Sequence, residues 1–348
     1  MARGIFCKIL LVVVVVFGLL VFSGVLLAQS SSEDAFERVK EVHQKYTDRL
    51  MAKEGVVGTG VGQDSNDRLV VRVFTERAGI GEIPKELDGI PVDVEITGRI
   101  HALTPPQGKG RFVDSPRIDP TAWFPRPVPI GVSTGHTDIT AGTIGCRVKG
   151  FAGRVYALSN NHVYANENSA TMRDPVLQPG PYDGGGTVPG RDDVIGTLYS
   201  SERIRFAILE FDWWPTNRID AAIALSSTDN LGNATPSDGY GTPRSTTAEA
   251  HVGQIVQKYG RTTGLTEGMV YAVNATVNVS YSSGMARFVN QIIIIPGSFS
   301  AGGDSGSLIV THTGKNPVGL LFAGGSTITV ANPIDPVLTR FGVTIDGE

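Results

Sequence analysis

The longest apolar stretch of the chain lies at its amino terminus, and the rest alternates between short apolar runs and polar turns. Residues 9–27 are uncharged and dominated by Leu and Val, with Arg3 and Lys8 before them and small residues after them. A positive flank, an apolar stretch and small residues predict an export signal over residues 1–30. Because about 19 apolar residues can also span a bilayer, a retained membrane anchor is the alternative to a cleaved signal.

Residues 31–103 carry a mixed helix and strand pattern that predicts a small α/β domain. Apolar residues at spacings of three and four predict an amphipathic helix over 34–53. The segment that follows predicts, in chain order, a glycine-rich strand at 55–62, a strand at 69–74, a short helix at 83–87 and a strand at 90–96. The glycines do not have the spacing of a dinucleotide-binding loop, so we expect no cofactor in this domain.

The remainder of the chain divides into a proline-rich segment and a long series of short apolar runs. Residues 104–129 contain seven prolines without apolar periodicity and predict a partly extended linker. From 130 to 348, turns with Gly, Asn and Asp separate predicted strands at 143–148, 154–159, 194–199, 221–225, 271–279, 292–295, 306–310 and 318–323. About 220 residues of this kind predict an all-β barrel or sandwich.

The composition supports this reading and excludes several classes of function. With 43 glycines, 20 prolines and 18% charged residues, the chain favours turns and short strands over long helices. With a net charge of −4, the chain lacks the excess of basic residues that binds nucleic acid.

Cys7 lies in the export signal, so Cys146 has no disulfide partner and is expected to be a buried thiol. Outside the candidate catalytic residue described next, the histidines lack the spacing of a metal site, so no metal is expected.

Three short segments, in chain order, carry candidate catalytic side chains. A strand runs into a polar turn at His162, Asp220 opens an apolar strand, and Ser305 lies in a glycine-rich turn before another strand. A serine hydroxyl is a weak nucleophile unless a base takes its proton, and histidine suits that task near neutrality. An aspartate at the start of a core strand can hold the histidine in one tautomer. The pattern predicts acyl transfer, with the amides of Gly303 and Ser305 as donors to the oxyanion.

Asp212 is the alternative to Asp220, because it also lies in a strand-like run, residues 209–214. We favour Asp220 because the residues that follow it are small and apolar. Such a run is expected of a core strand beside a buried carboxylate.

The three segments resemble those of the trypsin-like serine proteases, which have the chymotrypsin fold. The resemblance is carried by Ser159–Val163 and Asp220–Ala224, similar to bacterial Deg-type members, by Gly303–Gly306, the motif of the whole family, and by Gly260–Gly264, similar to streptogrisin and α-lytic proteases. It covers residues 130–348 and implies a mainly β fold of two six-stranded barrels behind the small α/β domain. It further implies that the active site lies between the barrels, with Ser305 contributed by the second one.

The same resemblance implies a polypeptide substrate and a pocket for its side chain. Phe322, Ala323 and Gly324 would lie in the strand beside this pocket, and Phe299 would stand at its base. A phenylalanine in place of an acid disfavours basic side chains at the P1 position and favours small or apolar ones. Residues 334–341 would form the helix that closes the domain.

The chain also departs from the family pattern. Val163 stands where animal members have a disulfide-forming cysteine, and the α/β domain matches neither bacterial group.

The leading interpretation is an exported serine endopeptidase, secreted or periplasmic, which would contact a membrane only through an uncleaved anchor. One alternative is a catalytically weak binding or scaffolding protein, against which the intact triad argues. In another, residues 31–103 are an inhibitory or folding pro-segment and the mature enzyme begins in the linker.

Overall fold

The structure is a computed structural model that describes residues 33–103, 118–208, 210 and 213–348. The predicted export signal, the first part of the predicted linker (104–117) and Asp212 lie outside these residues. Helix α1 covers 33–51, and the other two helices are α2 (Asn161–Tyr164) and α3 (Ile334–Phe341). The strands are β1 (Val56–Gln63), β2 (Leu69–Thr75), β3 (Glu86–Leu87), β4 (Ile90–Ile96), β5 (Ile100–Ala102), β6 (Ser133–His136), β7 (Gly142–Thr143), β8 (Cys146–Lys149), β9 (Val155–Ser159), β10 (Pro175–Leu177), β11 (Val194–Ser201), β12 (Thr216–Asn217), β13 (Ala222–Ser226), β14 (Ile255–Gly260), β15 (Gly264–Tyr281), β16 (Gly284–Ile295), β17 (Leu308–Thr311), β18 (Pro317–Gly324), β19 (Thr329–Pro333) and β20 (Thr344–Ile345).

The first barrel is built from an eight-stranded sheet in the order β20-β8-β9-β13-β11-β10-β6-β7. Only Ile144 and Gly145 separate β7 from β8, and their amides donate to Val132 O (3.0 Å) and Leu158 O (2.8 Å). The segment from β7 to β8 therefore runs as one bent strand between β6 and β9. This strand closes a ring of six, with β20 attached outside it.

The second barrel is a closed ring of six strands, β14, β15, β16, β19, β18 and β17, because β15 and β16 also pair with each other. Large apolar side chains fill its interior; the buried ones include Val256, Val270, Ile292, Ile294, Phe299, Ile309 and Leu321. The prediction of a chymotrypsin-like double barrel is confirmed. Helix α3 has the predicted bounds and covers one side of the protein.

The amino-terminal α/β unit has a core of its own but shares its sheet with the second barrel. Apolar side chains of α1 pack on β1, β2 and the β3–β4 hairpin; the buried ones include Val39, Val42, Leu50, Val61, Val71, Val73, Leu87 and Ile90. Strand β1 pairs with β15 as well as with β2, so the sheet continues from the barrel into this unit. The sequence pattern does not predict this continuity, because edge pairing depends on the partner strand and not on local periodicity.

Most local predictions agree with the structure. The first helix and most predicted strands are confirmed within a few residues at their ends, whereas β15 and β16 begin well before the strands predicted at 271–279 and 292–295. The helix predicted at 83–87 is wrong, because this segment contains β3 and forms a hairpin with β4 through a turn at Asp88 and Gly89. Glycine and aspartate favour such turns, and the turn outweighs a weak helical pattern. Within the described ranges, no helix combines the length and apolar character needed to cross a membrane.

Candidate active site

His162 and Asp220 form a buried pair at one end of the first barrel. Strand β9 ends at Ser159, the chain turns at Asn160, and His162 lies in the single turn of α2. Its Nδ1 lies 2.6 Å from Asp220 Oδ2, and its backbone amide donates to Asp220 Oδ1 at 3.2 Å. Two contacts to one carboxylate set both the position of the helical turn and the orientation of the imidazole ring. With Nδ1 donating to the carboxylate, Nε2 is the acceptor nitrogen.

Asp220 has no exposed surface, so its charge depends on hydrogen bonds from the protein. The Tyr281 hydroxyl, from the end of β15 in the second barrel, donates to Asp220 Oδ2 at 2.8 Å. The Tyr281 ring also meets the His162 ring edge to face, with centroids 5.9 Å apart. Burial, and secondly the charge of Asp220, raise the pKa of Tyr281 well above its ordinary value. The tyrosine therefore stays a neutral donor to the aspartate.

Two asparagines hold the backbone of Asp220 from opposite sides. The Asn160 side-chain amide donates to Asp220 O at 2.7 Å, and Asp220 N donates to Asn332 Oδ1 at 2.7 Å. All three residues are fully buried. Asn332 belongs to β19, so this contact connects the aspartate of the first barrel to the second barrel.

Ser305 lies in the loop between residues 300 and 307, which leads into β17. Gly303 and Gly306 adopt positive φ angles of 98° and 94°. A Cβ on Gly306 would lie 2.2 Å from Ser159 Oγ, so only glycine fits there. The β7 residue Thr143 ties the loop to the first barrel: its amide donates to Ser305 O at 2.8 Å and its hydroxyl to Gly303 O at 2.9 Å.

Asp304 turns away from the site and is braced by a buried lysine. Its carboxylate accepts hydrogen bonds from the amides of Thr262 and Ala301, at 2.8 and 2.9 Å. Lys258 Nζ lies 3.4 Å from Asp304 Oδ2, and both side chains are completely buried. Burial lowers the pKa of Lys258, and the carboxylate of Asp304 opposes this shift. An internal cation thus neutralises the aspartate that stabilises the loop.

Ser305 and His162 are not hydrogen-bonded to each other. Ser305 Oγ donates to Phe322 O at 3.2 Å. His162 Nε2 is buried and has no hydrogen-bond partner among the described residues. Active-site hydrogen bonds of this kind are often long or absent without substrate.

The predicted pocket residues divide between two apolar clusters. Phe299 is buried in the core of the second barrel, whereas the Phe322 ring packs on the Phe288 ring with centroids 4.8 Å apart. The side chains of Phe322 and Ala323 therefore point away from Phe299. The carbonyl oxygen of Phe322 is the atom that accepts the hydrogen bond from Ser305 Oγ. Gly324 ends β18, and a Cβ there would lie 3.1 Å from Ile328 O and 3.4 Å from the Leu103 methyl groups.

Sequence reasoning missed two residues of this site. Tyr281 gave no local signal, because its contact with Asp220 joins residues 61 positions apart. Lys258 gave one: it is a charged residue in the middle of the strand Ile255–Gly260, whose neighbours are buried. A lysine in a core strand predicts a buried anionic partner.

Cys146 is buried, as expected, and burial raises the pKa of its thiol. In the part of the chain that the structure describes, no group of three His, Cys, Asp or Glu side chains could hold a metal ion.

Comparisons with known proteins identify bacterial proteases that are similar to part of this chain. No family model matches the chain. Glutamyl endopeptidase 2 of Streptomyces griseus is 32% identical over 139 residues, which are 38% of this chain and 69% of that protein. Serine protease 1 of Streptomyces fradiae is 32% identical over 141 residues, which are 38% of this chain and 36% of that protein. Streptogrisin-A of Streptomyces griseus is 34% identical over 105 residues, which are 29% of this chain and 33% of that protein.

Among solved structures, a glutamic acid specific serine protease has a TM-score of 0.44 and 23% identity, covering 63% of this chain and all of its own. Nocardiopsis protease has a TM-score of 0.43 and 18% identity, covering 63% of this chain and 98% of its own. The first curated relative matches over more than two thirds of its length. This chain therefore belongs to the trypsin-like family of serine endopeptidases.

Proposed function

We propose that His162, Asp220 and Ser305 are the catalytic triad of this endopeptidase. The observation that carries the proposal is the buried pair of His162 Nδ1 and Asp220 Oδ2, 2.6 Å apart, together with the hydrogen bonds by which Thr143 ties the Ser305 loop to the first barrel. The pairing leaves Nε2 as the base that takes the Ser305 proton when Oγ attacks the substrate carbonyl carbon. The imidazolium then gives this proton to the leaving amine, and the buried carboxylate stabilises its positive charge.

Water completes the reaction by the same route. His162 takes a proton from a water molecule, which attacks the acyl-enzyme and releases the new carboxyl group with Ser305 restored. The amides of Gly303 and Ser305 stabilise the oxyanion in both halves of the reaction. The Gly303 amide supports this role, because it donates to a carbonyl oxygen from outside the loop, Leu103 O, at 2.8 Å.

For the substrate, we propose a polypeptide with a small or apolar P1 side chain. A relative is named for glutamate specificity. Phe299 belongs to an apolar cluster, and the one cation described near its ring, Lys258 Nζ at 5.6 Å from the centroid, is already paired with Asp304. Apolar surroundings of this kind do not compensate for the lost hydration of a carboxylate. Peptide substrates that differ only in Leu or Glu at P1 distinguish the two specificities.

We also propose that the protein is exported. This rests on the apolar segment at residues 9–27 and its positive flank. The mass of the protein recovered from the medium or the cell envelope tests whether the segment is removed.

A fluorophosphonate probe tests the proposed nucleophile. The wild-type protein is expected to be labelled, and the Ser305→Ala variant is not. Ser300→Ala removes a hydroxyl from the same loop that bonds Thr329 Oγ1, and it should keep the labelling. Labelling of folded Ser305→Ala at the wild-type rate would refute the assignment of the triad.

A further inference from the structure

The peptide group between Gly302 and Gly303 decides where the proposed oxyanion amide points. A trans peptide group is planar, and its carbonyl oxygen and its N–H point in opposite directions. The N–H of Gly303 therefore faces a substrate only while Gly302 O faces the opposite way. Glycine on both sides lets this peptide group rotate easily, because neither residue has a Cβ that limits its dihedral angles. A hydrogen bond to Gly302 O is the direct way to fix the orientation of the amide.

The hydroxyl of Thr262 supplies this hydrogen bond. Thr262 Oγ1 donates to Gly302 O at 2.6 Å. At the other end of the same peptide group, Gly303 N donates to Leu103 O, outside the loop, at 2.8 Å. The contact with Thr262 thus accompanies an amide that is directed out of the loop. A Cβ on Gly303 would lie 2.6 Å from Thr262 Oγ1, so the hydroxyl can approach only because this residue is glycine.

The position of Thr262 is set by its neighbour Arg261 and by Asp304. Arg261 Nη1 donates to Thr262 Oγ1 at 3.1 Å. A guanidinium group only donates, so it binds a lone pair of the hydroxyl oxygen and leaves the hydroxyl proton for Gly302 O. The Thr262 amide donates to Asp304 Oδ1 at 2.8 Å and fixes the backbone of this residue. The threonine is therefore held at both its side chain and its main chain.

Arg261 is in turn held by the first barrel. It lies between β14 and β15 of the second barrel and forms an ion pair with Asp183, which lies between β10 and β11 of the first. Arg261 Nε donates to Asp183 Oδ2 at 2.8 Å and Nη2 donates to Oδ1, and the two side chains are only 8% and 7% exposed. Ser133 Oγ donates to the same carboxylate at 2.6 Å. Because the contact is bidentate, it fixes the plane of the guanidinium as well as its position.

The backbone of Arg261 acts on the next peptide group of the loop. Its amide donates to Thr143 Oγ1 at 3.0 Å, and this hydroxyl donates to Gly303 O at 2.9 Å. The carbonyl oxygens of Gly302 and Gly303 thus each accept from a threonine hydroxyl, and each hydroxyl accepts from Arg261. One arginine therefore supports both peptide groups that meet at the Cα of Gly303.

We propose that Thr262 and Arg261 are positioning residues of the oxyanion hole. Thr262 holds Gly302 O so that the Gly303 amide faces the substrate, and the ion pair with Asp183 holds Arg261 across the two barrels. This inference rests on the proposed triad and on Gly303 as an oxyanion donor. Both side chains act through the peptide group of the loop rather than on the substrate.

The kinetics of fluorophosphonate labelling at Ser305 measure this role in the full-length protein. The phosphonyl oxygen gains negative charge as Ser305 Oγ attacks, so kinact depends on the oxyanion donors, whereas KI reports the binding that precedes reaction. Thr262→Val keeps the shape of the side chain and removes its hydroxyl. Loss of a whole oxyanion donor costs about 100-fold or more, and an amide that turns away part of the time costs less. We expect kinact to fall about tenfold while KI stays near its wild-type value.

Two variants separate the hydrogen bond from the packing of the side chain. Thr262→Ser keeps the hydroxyl and should return kinact close to its wild-type value. Thr311→Val is the matched control, because it removes a hydroxyl that donates to a backbone oxygen, Thr313 O at 2.9 Å, after the end of β17. This control should keep the wild-type kinact.

The ion pair has a variant and a control of its own. Asp183→Asn keeps the shape of the side chain and removes the charge that binds Arg261, so kinact should fall with KI unchanged. Asp346→Asn removes the charge from an ion pair of similar burial, in which the side chains of Arg147 and Asp346 are 13% and 10% exposed. This control should lower the urea midpoint of unfolding and keep the wild-type kinact.

Each outcome decides between the inference and the function on which it rests. Folded Thr262→Val with the wild-type kinact, or Thr262→Ser as slow as Thr262→Val, would overturn the positioning role and leave the triad standing. A change in KI alone would assign Thr262 to binding and overturn the role as well. Should Thr262→Val not fold, a wild-type kinact in Asp183→Asn overturns it. Wild-type labelling that does not depend on Ser305 would overturn both the triad and the inference.

Discussion

The substitution Tyr281→Phe tests whether the second barrel supports the catalytic aspartate. The change removes the hydroxyl that lies 2.8 Å from Asp220 Oδ2 and keeps the ring that packs against His162. A hydrogen bond to a charged group contributes about 1.5–3 kcal/mol, so we expect the free energy of unfolding to fall by about that amount. Only the part of this energy that orients the imidazole affects the rate. We therefore expect kcat/KM to fall about tenfold, or about 1.4 kcal/mol.

The separate values of kcat and KM distinguish this positioning role from a purely structural one. The lost hydroxyl bonds Asp220 and not the substrate, so kcat should fall while KM stays near its wild-type value. Tyr271→Phe is the matched control: it lies on the same strand, and its hydroxyl is 3.4 Å from Glu95. An unchanged kcat in Tyr281→Phe would refute the reasoning.

Three further predictions concern the loop, the pocket and the α/β unit. Lys258→Met leaves the Asp304 charge buried without its cation and should cost about 3–5 kcal/mol of stability, whereas exposed Lys85→Met should cost almost none in the same urea titration. Gly324→Val adds methyl groups at the end of β18, where the family resemblance places the P1 pocket, and should lower the Leu-to-Ala preference at P1 about tenfold in kcat/KM; an unchanged ratio would show that Gly324 does not line this pocket. Burial lowers the pKa of His43 from 6.5 to about 4. As the pH falls, the unfolded chain therefore binds a proton at this histidine at a higher pH than the folded protein does. The stability of Ser305→Ala should therefore fall by about 3 kcal/mol from pH 6.5 to 4 in urea unfolding, and a flat profile would contradict this.

Short-range patterns were sufficient to predict the elements and the chemistry. The closing helix at Ile334–Phe341 has the bounds that the family resemblance implies. The strand at Val155–Ser159, which leads into the turn with His162, follows from the pattern of neighbouring side chains, which a single stretch of sequence contains. The order of His, Asp and Ser segments predicted the reaction class for the same reason, because each segment carries its own local signal.

Contacts between distant parts of the chain depended on the tertiary structure. The bond from Tyr281 to Asp220 and the partner of Lys258 arise only when the barrels close and strand register is set. The placement of Leu103 in the cleft likewise requires β5 to pair with β18. Backbone hydrogen bonds between strands form with any side chain, so no residue in 100–103 announces its partner. The sequence by itself thus predicted a two-barrel protease behind an α/β domain, and only the tertiary structure joined that domain to the active site.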